Sequence, residues 1–396
     1  MRILSVGNLY PPHHFGGYEL IWRGAVEHLR AAGHEIRILV TDHRHPSPDA
    51  AVPEDPDCHR ELHWYWRDHA FPRLTPLARL TLERHNRAVL QRHLDEWSPD
   101  LVAWWAMGGM SMSLLEQVHR AGRPSVAVVM DDWPNYGPRV DGWQAPLRGR
   151  PRRGRLVERL TGVPTLGEVG SRTSWIFISR HQLERTERAI GPLPGARIAH
   201  AGVDEQLFRP GPEHPWRWRL LYCGRIDPRK GIDLAVASLP LLPAEATLLV
   251  VGDGDPEHRE QLERQAGELG VSDRVRFERV ERDRLADTFA EHDALLFPVR
   301  WEEPWGLVPL EAMAVGLLVV GSGRGGSAEY FEHDANCLLA DPDAGPGPLA
   351  DALLRLAGDE ELRRRLRAAG LETAARYPDT AFADAVADAA QTAAAT

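Results

Sequence analysis

The chain alternates short apolar runs with amphipathic stretches from its first residues. Ile3 to Val6 is a run of strand length. Pro11, Pro12, Gly16 and Gly17 break it as a loop. Leu20, Ile21, Ala25, Val26 and Leu29 then recur at helical spacing, Gly33 stops the helix, and Ile36 to Val40 is the next apolar run. This is a strand–helix–strand unit. Leu101 to Trp105, Ser125 to Met130 and Trp175 to Ile178 predict further buried strands, and Leu77 to Trp97 predicts a helix. From Thr41 to about Pro76 the pattern is irregular. Arg148 to Arg155 is basic and broken by Gly and Pro, which predicts an exposed loop.

The pattern lapses between Glu205 and Trp216, where Arg209-Pro210-Gly211-Pro212 predicts an interdomain linker. Beyond it, apolar runs at Leu220–Cys223, Thr247–Val251, Val275–Phe277, Ala294–Phe297 and Leu317–Val320 alternate with helical stretches. Alternation of this kind predicts a parallel sheet covered on both faces. The fold class is therefore α/β, with two doubly wound domains in tandem. Phe382 to Ala395 is Ala-rich and helical, with no strand to accompany it.

Composition narrows the function. At 396 residues, 43% hydrophobic and 26% charged, the chain is globular and long enough for two domains. Its apolar runs are too short to cross a bilayer. Met1 to Val6 meets polar Asn8 at once and reads as a strand rather than a signal peptide. Three scattered cysteines, Cys58, Cys223 and Cys337, exclude a disulfide scaffold and suit a cytoplasmic location. A formal charge of -10 argues against a general binder of nucleic acid or anionic membrane. Of the 47 basic residues, Lys230 is the one lysine and the other 46 are arginines.

Four segments carry chemistry. Gly16-Gly17 joins a strand to a helix N-terminus, where backbone N–H groups meet an anion or simply turn the chain. Gly224-Arg225-Ile226-Asp227-Pro228-Arg229-Lys230-Gly231 brings cations to the C-terminal end of a strand, the ligand side of such sheets. Glu303 and Glu311 stand eight positions apart around a Gly-containing turn, and carboxylates accept hydrogen bonds from sugar hydroxyls. Gly321-Ser322-Gly323-Arg324-Gly325-Gly326 spells a dinucleotide-binding motif, but the helix after it is too short for a Rossmann crossover. Cys58, His59 and His63 match no structural zinc spacing. Asp131-Asp132 ends a strand on the ligand side.

Together these segments resemble the retaining nucleotide-sugar glycosyltransferases of the GT-B fold, family-4 group. The resemblance is carried by Gly-Arg-Ile-Asp-Pro-Arg-Lys-Gly, by Glu303-Pro304-Trp305-Gly306-Leu307-Val308-Pro309-Leu310-Glu311, and by Gly325-Gly326-Ser327-Ala328-Glu329. Gly202-Val203-Asp204 with Phe208, and Gly16-Gly17-Tyr18-Glu19, are similar to further segments of that group. It implies two Rossmann-like domains facing a central cleft. The acceptor domain is residues 1–208 plus a C-terminal helix at about 378–396, and the donor domain is residues 209–377.

Residue by residue, the resemblance implies Arg225 and Lys230 on the donor diphosphate, Glu311 on the ribose and Glu303 on the donor sugar. Gly306, Leu307 and Val308 would line the phosphates or sugar, Arg279 and Val280 the base, and Gly16 and Gly17 the donor. Asp131 stands at the family's acidic position, where it would orient or deprotonate the acceptor, while Met130 replaces the histidine that often precedes it. His13, His14, Tyr18, Trp105, Trp133 and Tyr136 are acceptor candidates. No metal or other cofactor is expected. The expected partners are a nucleoside-diphosphate sugar and a small-molecule or glycan acceptor, with no nucleic acid and no transmembrane segment. The oligomeric state stays open. An epimerase of the same fold and a non-catalytic nucleotide-sugar binding protein are the alternatives.

Overall fold

A computed structural model describes residues 1–46, 48–49, 52–66, 71–165, 167 and 173–395. The chain divides into an N-terminal unit, Met1–His200 with the segment from Phe382 onward, and a C-terminal unit, Ala201–Ala381.

The N-terminal unit is built on a seven-stranded sheet. Its strands are β1 Arg2–Val6, β2 Glu35–Thr41, β3 Cys58–Leu62, β4 Leu101–Trp104, β5 Ser125–Val129, β6 Ser174–Phe177 and β7 Arg197–Ile198. Their order is β3-β2-β1-β4-β5-β6-β7, and every pairing is parallel. All residues of β4 and β5 are buried, as expected of strands with helices on both faces. β3 lies inside the stretch read as irregular. Its sequence, Cys-His-Arg-Glu-Leu, is polar because it forms the sheet edge, where only Leu62 is fully buried.

The C-terminal unit holds six parallel strands in the order β10-β9-β8-β11-β12-β13. They are β8 Arg219–Cys223, β9 Thr247–Val251, β10 Val275–Glu278, β11 Ala294–Phe297, β12 Leu318–Gly321 and β13 Leu338–Leu339. In both sheets the order runs outward in two directions from a central pair, β1/β4 in one and β8/β11 in the other. Ligands of open α/β sheets bind beside the loops that leave such a pair.

Two expectations change. The boundary falls at His200/Ala201 rather than at 208/209. Val203 N–H donates to Tyr377 O at 2.8 Å and Asp379 N–H to Val203 O at 3.1 Å, so this stretch pairs within the C-terminal unit. Phe208 then packs 5.8 Å from Phe289. The basic stretch expected as a loop contains a helix, Pro151–Thr161, started by proline in its first turn and ended by left-handed Gly162. The terminal helix, Asp379–Ala394, bonds the N-terminal unit through His28 to Asp384 at 2.8 Å and Arg197 to Asp388 at 2.5 Å. Among the described residues no helix is long and apolar enough to cross a membrane.

Asp293 fastens the first strand of the C-terminal unit. It is buried, and its Oδ2 accepts the backbone N–H groups of Arg217 at 3.0 Å and Arg219 at 2.7 Å. Replacing it with Ala strands two backbone donors. The expected loss is about 2–4 kcal/mol of the C-terminal unit's stability, read by urea denaturation.

Candidate functional site

In the C-terminal unit, the loops leaving β8 and β11 meet. After β8, Asp227 caps a short turn, Pro228–Lys230, by accepting from Arg229 N–H at 2.9 Å. The Arg229 guanidinium also bonds Asp227 and, above other effects, holds its carboxyl down to about 2. The turn ends at Gly231, φ 71°, where a Cβ would stand 2.0 Å from Pro298 O. No other residue fits that contact. One backbone bond joins the two loops, from Arg300 N–H to Arg229 O at 2.8 Å.

This geometry delivers Lys230 to Glu303. Lys230 Nζ donates to Glu303 Oε2 at 2.6 Å, and Trp301 Nε1 donates to the same oxygen at 2.7 Å. The Trp301 ring also lies under both cations, 4.6 Å from the Arg229 guanidinium and 5.1 Å from Lys230 Nζ. Glu303 itself is seated by Gly326 N–H, which donates to Glu303 O at 2.6 Å. The glycine-rich segment after β12 serves this approach. A Cβ on Gly325, φ 70°, would stand 2.3 Å from Glu303 O, and only a four-residue 3-10 turn follows.

Arg225, also on the β8 loop, is exposed. Gly306 is left-handed and opens the helix Leu307–Val315 with no side-chain cap, so among the described residues the first-turn N–H groups of Leu307 and Val308 have no side-chain acceptor. Glu311, one turn in, is buried and accepts from Arg282 Nη2 at 2.8 Å. Its negative charge raises the Arg282 guanidinium further above its ordinary value. Arg279 is half exposed and pairs with Asp253 at 3.2 Å, while Val280 beside it is half-buried. Arg282 and Trp301 join the site without belonging to a motif that marks it in the sequence. Arg282 is one of many arginines, and nothing local distinguishes it. Trp301, two positions before Glu303, carried a usable signal.

The N-terminal unit gathers a second cluster beyond β5. Asp131 is half-buried, and its Oδ1 accepts from Trp133 N–H at 3.3 Å. Burial pushes its carboxyl up to about 7, with the Asp132 and Glu19 carboxylates adding to the rise. Glu19 is buried, and Asp132 pairs with Arg185 at 2.9 Å. Tyr18 donates its hydroxyl to Val128 O at 2.9 Å. The hydroxyls of Tyr18 and Tyr136 are both raised, first by burial and next by the Asp131 charge. Gly16 and Gly17 open the helix Gly17–Ala31, and among the described residues a Cβ on either would meet nothing within 4 Å.

The remaining acceptor candidates divide. Trp105 and Trp133 are core residues: both are buried, Trp105 stacking 5.5 Å from Trp22 and Trp133 lying 5.8 Å from Trp175. Neither ring has a face to offer an acceptor. His13 is buried, with Arg44 3.3 Å from its Nε2, and burial lowers its pKa. His14 lies 3.4 Å from Asp49. A histidine group different from the one weighed in the sequence also forms. His59, Glu61 and His93 bring ligand atoms within 4.8 Å of one another. Arg92 and His93 both bond Glu61, and Arg37 lies 3.5 Å from His93 Nδ1, so protein partners already serve these atoms. His63 stands apart, bonded to Asp42 at 2.8 Å.

Comparison with known proteins finds likeness in sequence and in fold. Residues 204–373 match the family of glycosyl transferases group 1. A D-inositol 3-phosphate glycosyltransferase of Xylanimonas cellulosilytica is 38% identical over 190 residues, covering 47% of this chain and 43% of the relative. A GDP-mannose-dependent alpha-(1-6)-phosphatidylinositol monomannoside mannosyltransferase of Mycolicibacterium smegmatis is 31% identical over 221 residues, covering 51% of this chain and 56% of the relative. The chain thus spans about half the length of these curated relatives. The crystal structure of Anabaena HepE with UDP and glucose superposes with a TM-score of 0.72 at 19% identity, covering 99% of this chain and 100% of HepE, which shows a shared fold. The C-terminal segment is thus similar to the group 1 glycosyl transferases, and the two doubly wound units share the GT-B fold of family-4-type glycosyltransferases.

Proposed function

We propose that the chain is a retaining glycosyltransferase that moves a hexose-type sugar from a nucleoside-diphosphate donor to a hydroxyl of a small-molecule natural product or glycan. One observation carries the reading. Lys230 meets Glu303 where the β8 and β11 loops converge, inside the segment that matches the family. The names of relatives support a nucleotide-sugar donor: one is called GDP-mannose-dependent, and HepE was crystallised with UDP and glucose.

The ion pairs suggest how a donor is received. A diphosphate competes with Glu303 for Lys230, and the released carboxylate then accepts from the sugar hydroxyls. Arg282 and Glu311 offer the same exchange to a ribose. As the bond from the anomeric carbon to the diphosphate oxygen breaks, Arg225 and Lys230 stabilise the negative charge left on the diphosphate. The acceptor oxygen bonds the anomeric carbon on the same face, and its proton passes to the departing phosphate. Asp131, once ionised, accepts a hydrogen bond from the acceptor hydroxyl and orients it for that transfer.

Three measurements test this. Lys230→Ala is expected to lower kcat by two to three orders of magnitude in a folded protein, and Lys230→Arg by at least tenfold, because the site calls for a compact point charge. Near-normal turnover of Lys230→Ala, or donor binding with neither transfer nor hydrolysis, overturns the reading. Transfer is expected to persist in EDTA, since side-chain cations occupy the place of a metal. Finally, kcat/KM is expected to rise with pH through about 7 as Asp131 ionises, and Asp131→Asn to abolish that rise. Stability moves the other way. The folded state holds the Asp131 proton more tightly than the unfolded state, so stability falls as pH climbs from the ordinary carboxylate range through about 7. Thermal midpoints of Asp131→Asn are expected to exceed those of the parent chain at pH 8 and to match them near pH 3.

A further inference from the structure

The helix Pro151–Thr161 has an unusual outer face. Its inner side is fastened to the N-terminal unit. Gly154 is buried, Glu158 bonds Arg120 and accepts Thr165 N–H at 3.1 Å, and Thr161 O accepts from Arg84 at 3.3 Å. On the opposite side, Leu156 and Leu160 lie one turn apart, 58% and 72% exposed. Arg152, Arg153, Arg155 and Arg159 flank them, all exposed, and Arg148 and Arg150 are exposed just before the helix. Among the described residues none of these six arginines forms an ion pair. Residues 148–159 thus carry six arginines against one glutamate in a chain of net charge -10. The helix Pro76–Trp97, whose Arg84 bonds Thr161 O, also exposes Leu77, at 74%.

Neither half of this pattern suffices alone. Exposed arginines suit any polyanion. Leucines set among them gain nothing from a nucleic acid or an acidic protein loop, yet both residue types are satisfied at a lipid headgroup layer. There, guanidinium groups pair with phosphates and leucines enter the acyl boundary. We propose that the helix Pro151–Thr161 docks the N-terminal unit onto an anionic lipid surface, lying flat with Leu156 and Leu160 inserted and the surrounding arginines on lipid phosphates. The surface would bring the protein to acceptors held in a membrane, which goes beyond the proposed sugar transfer and does not depend on it.

Co-sedimentation of the full chain with vesicles tests the proposal. Binding is expected to phosphatidylcholine vesicles containing phosphatidylglycerol and not to phosphatidylcholine alone, and to weaken as salt rises. Arg152→Gln/Arg153→Gln/Arg155→Gln is expected to weaken partitioning about a hundredfold. Leu156→Ser/Leu160→Ser, which leaves the charge intact, is expected to weaken it roughly tenfold. All five side chains are exposed, so thermal midpoints should stay unchanged and show that both variants fold. Failure to distinguish the two vesicle types overturns the proposal. So does binding that needs the arginines but ignores the leucine change, because that is the behaviour of a surface for soluble polyanions.

Discussion

The contact between Lys230 and Glu303 is the constraint on which the C-terminal site depends. A half-buried ammonium needs a counter-charge, and a half-buried carboxylate beside a tryptophan needs donors. Meeting both needs at one point requires two loops, 73 residues apart in the chain, to converge. Backbone contacts do this before the side chains act. Gly231 lets the first loop press on Pro298, Gly325 lets the third press on Glu303, and the Arg300 N–H joins the first two. The ion pair is therefore a consequence of close backbone packing at the sheet's central pair, and it shares the rigidity of that packing.

The same economy of charge recurs around the site. Arg282 neutralises Glu311, Arg300 neutralises Asp233 at 2.5 Å, and Arg229 neutralises Asp227. Charged groups of the site that are already paired can exchange a protein partner for a ligand group, with little cost of exposing bare charge. The N-terminal cluster follows the opposite rule. There burial pushes the Asp131 carboxyl up to about 7, and the nearby charges of Asp132 and Glu19 add to the rise. One unit pairs its cations with carboxylates, and the other gathers carboxylates together.

Much of the fold was legible in the chain. Runs such as Leu248–Val251 and Val126–Val129 are apolar throughout because both faces of their sheets are covered, and that is a local signal. The polar edge strand β3 was not legible, since an edge need not be apolar. The helix Pro151–Thr161 was hidden by its own Pro, Gly and arginine content. Its start rests on proline chemistry, and its inner face is visible only once Gly154 is seen to be buried. Trp105 and Trp133 looked like binding surfaces beside the right strands, and packing put them in the core instead.

The sequence by itself determined the two parallel sheets and the loops at the ends of their strands, because hydrophobic period and Gly/Pro punctuation are properties of neighbouring residues. It also singled out Lys230, one lysine against 46 arginines. Only the tertiary structure decided which cation meets which carboxylate. Arg282, rather than Arg279, reaches Glu311, and Trp301 completes the Lys230–Glu303 contact. Those pairings depend on loops far apart in the chain arriving at one end of a sheet, and no local pattern records that distance.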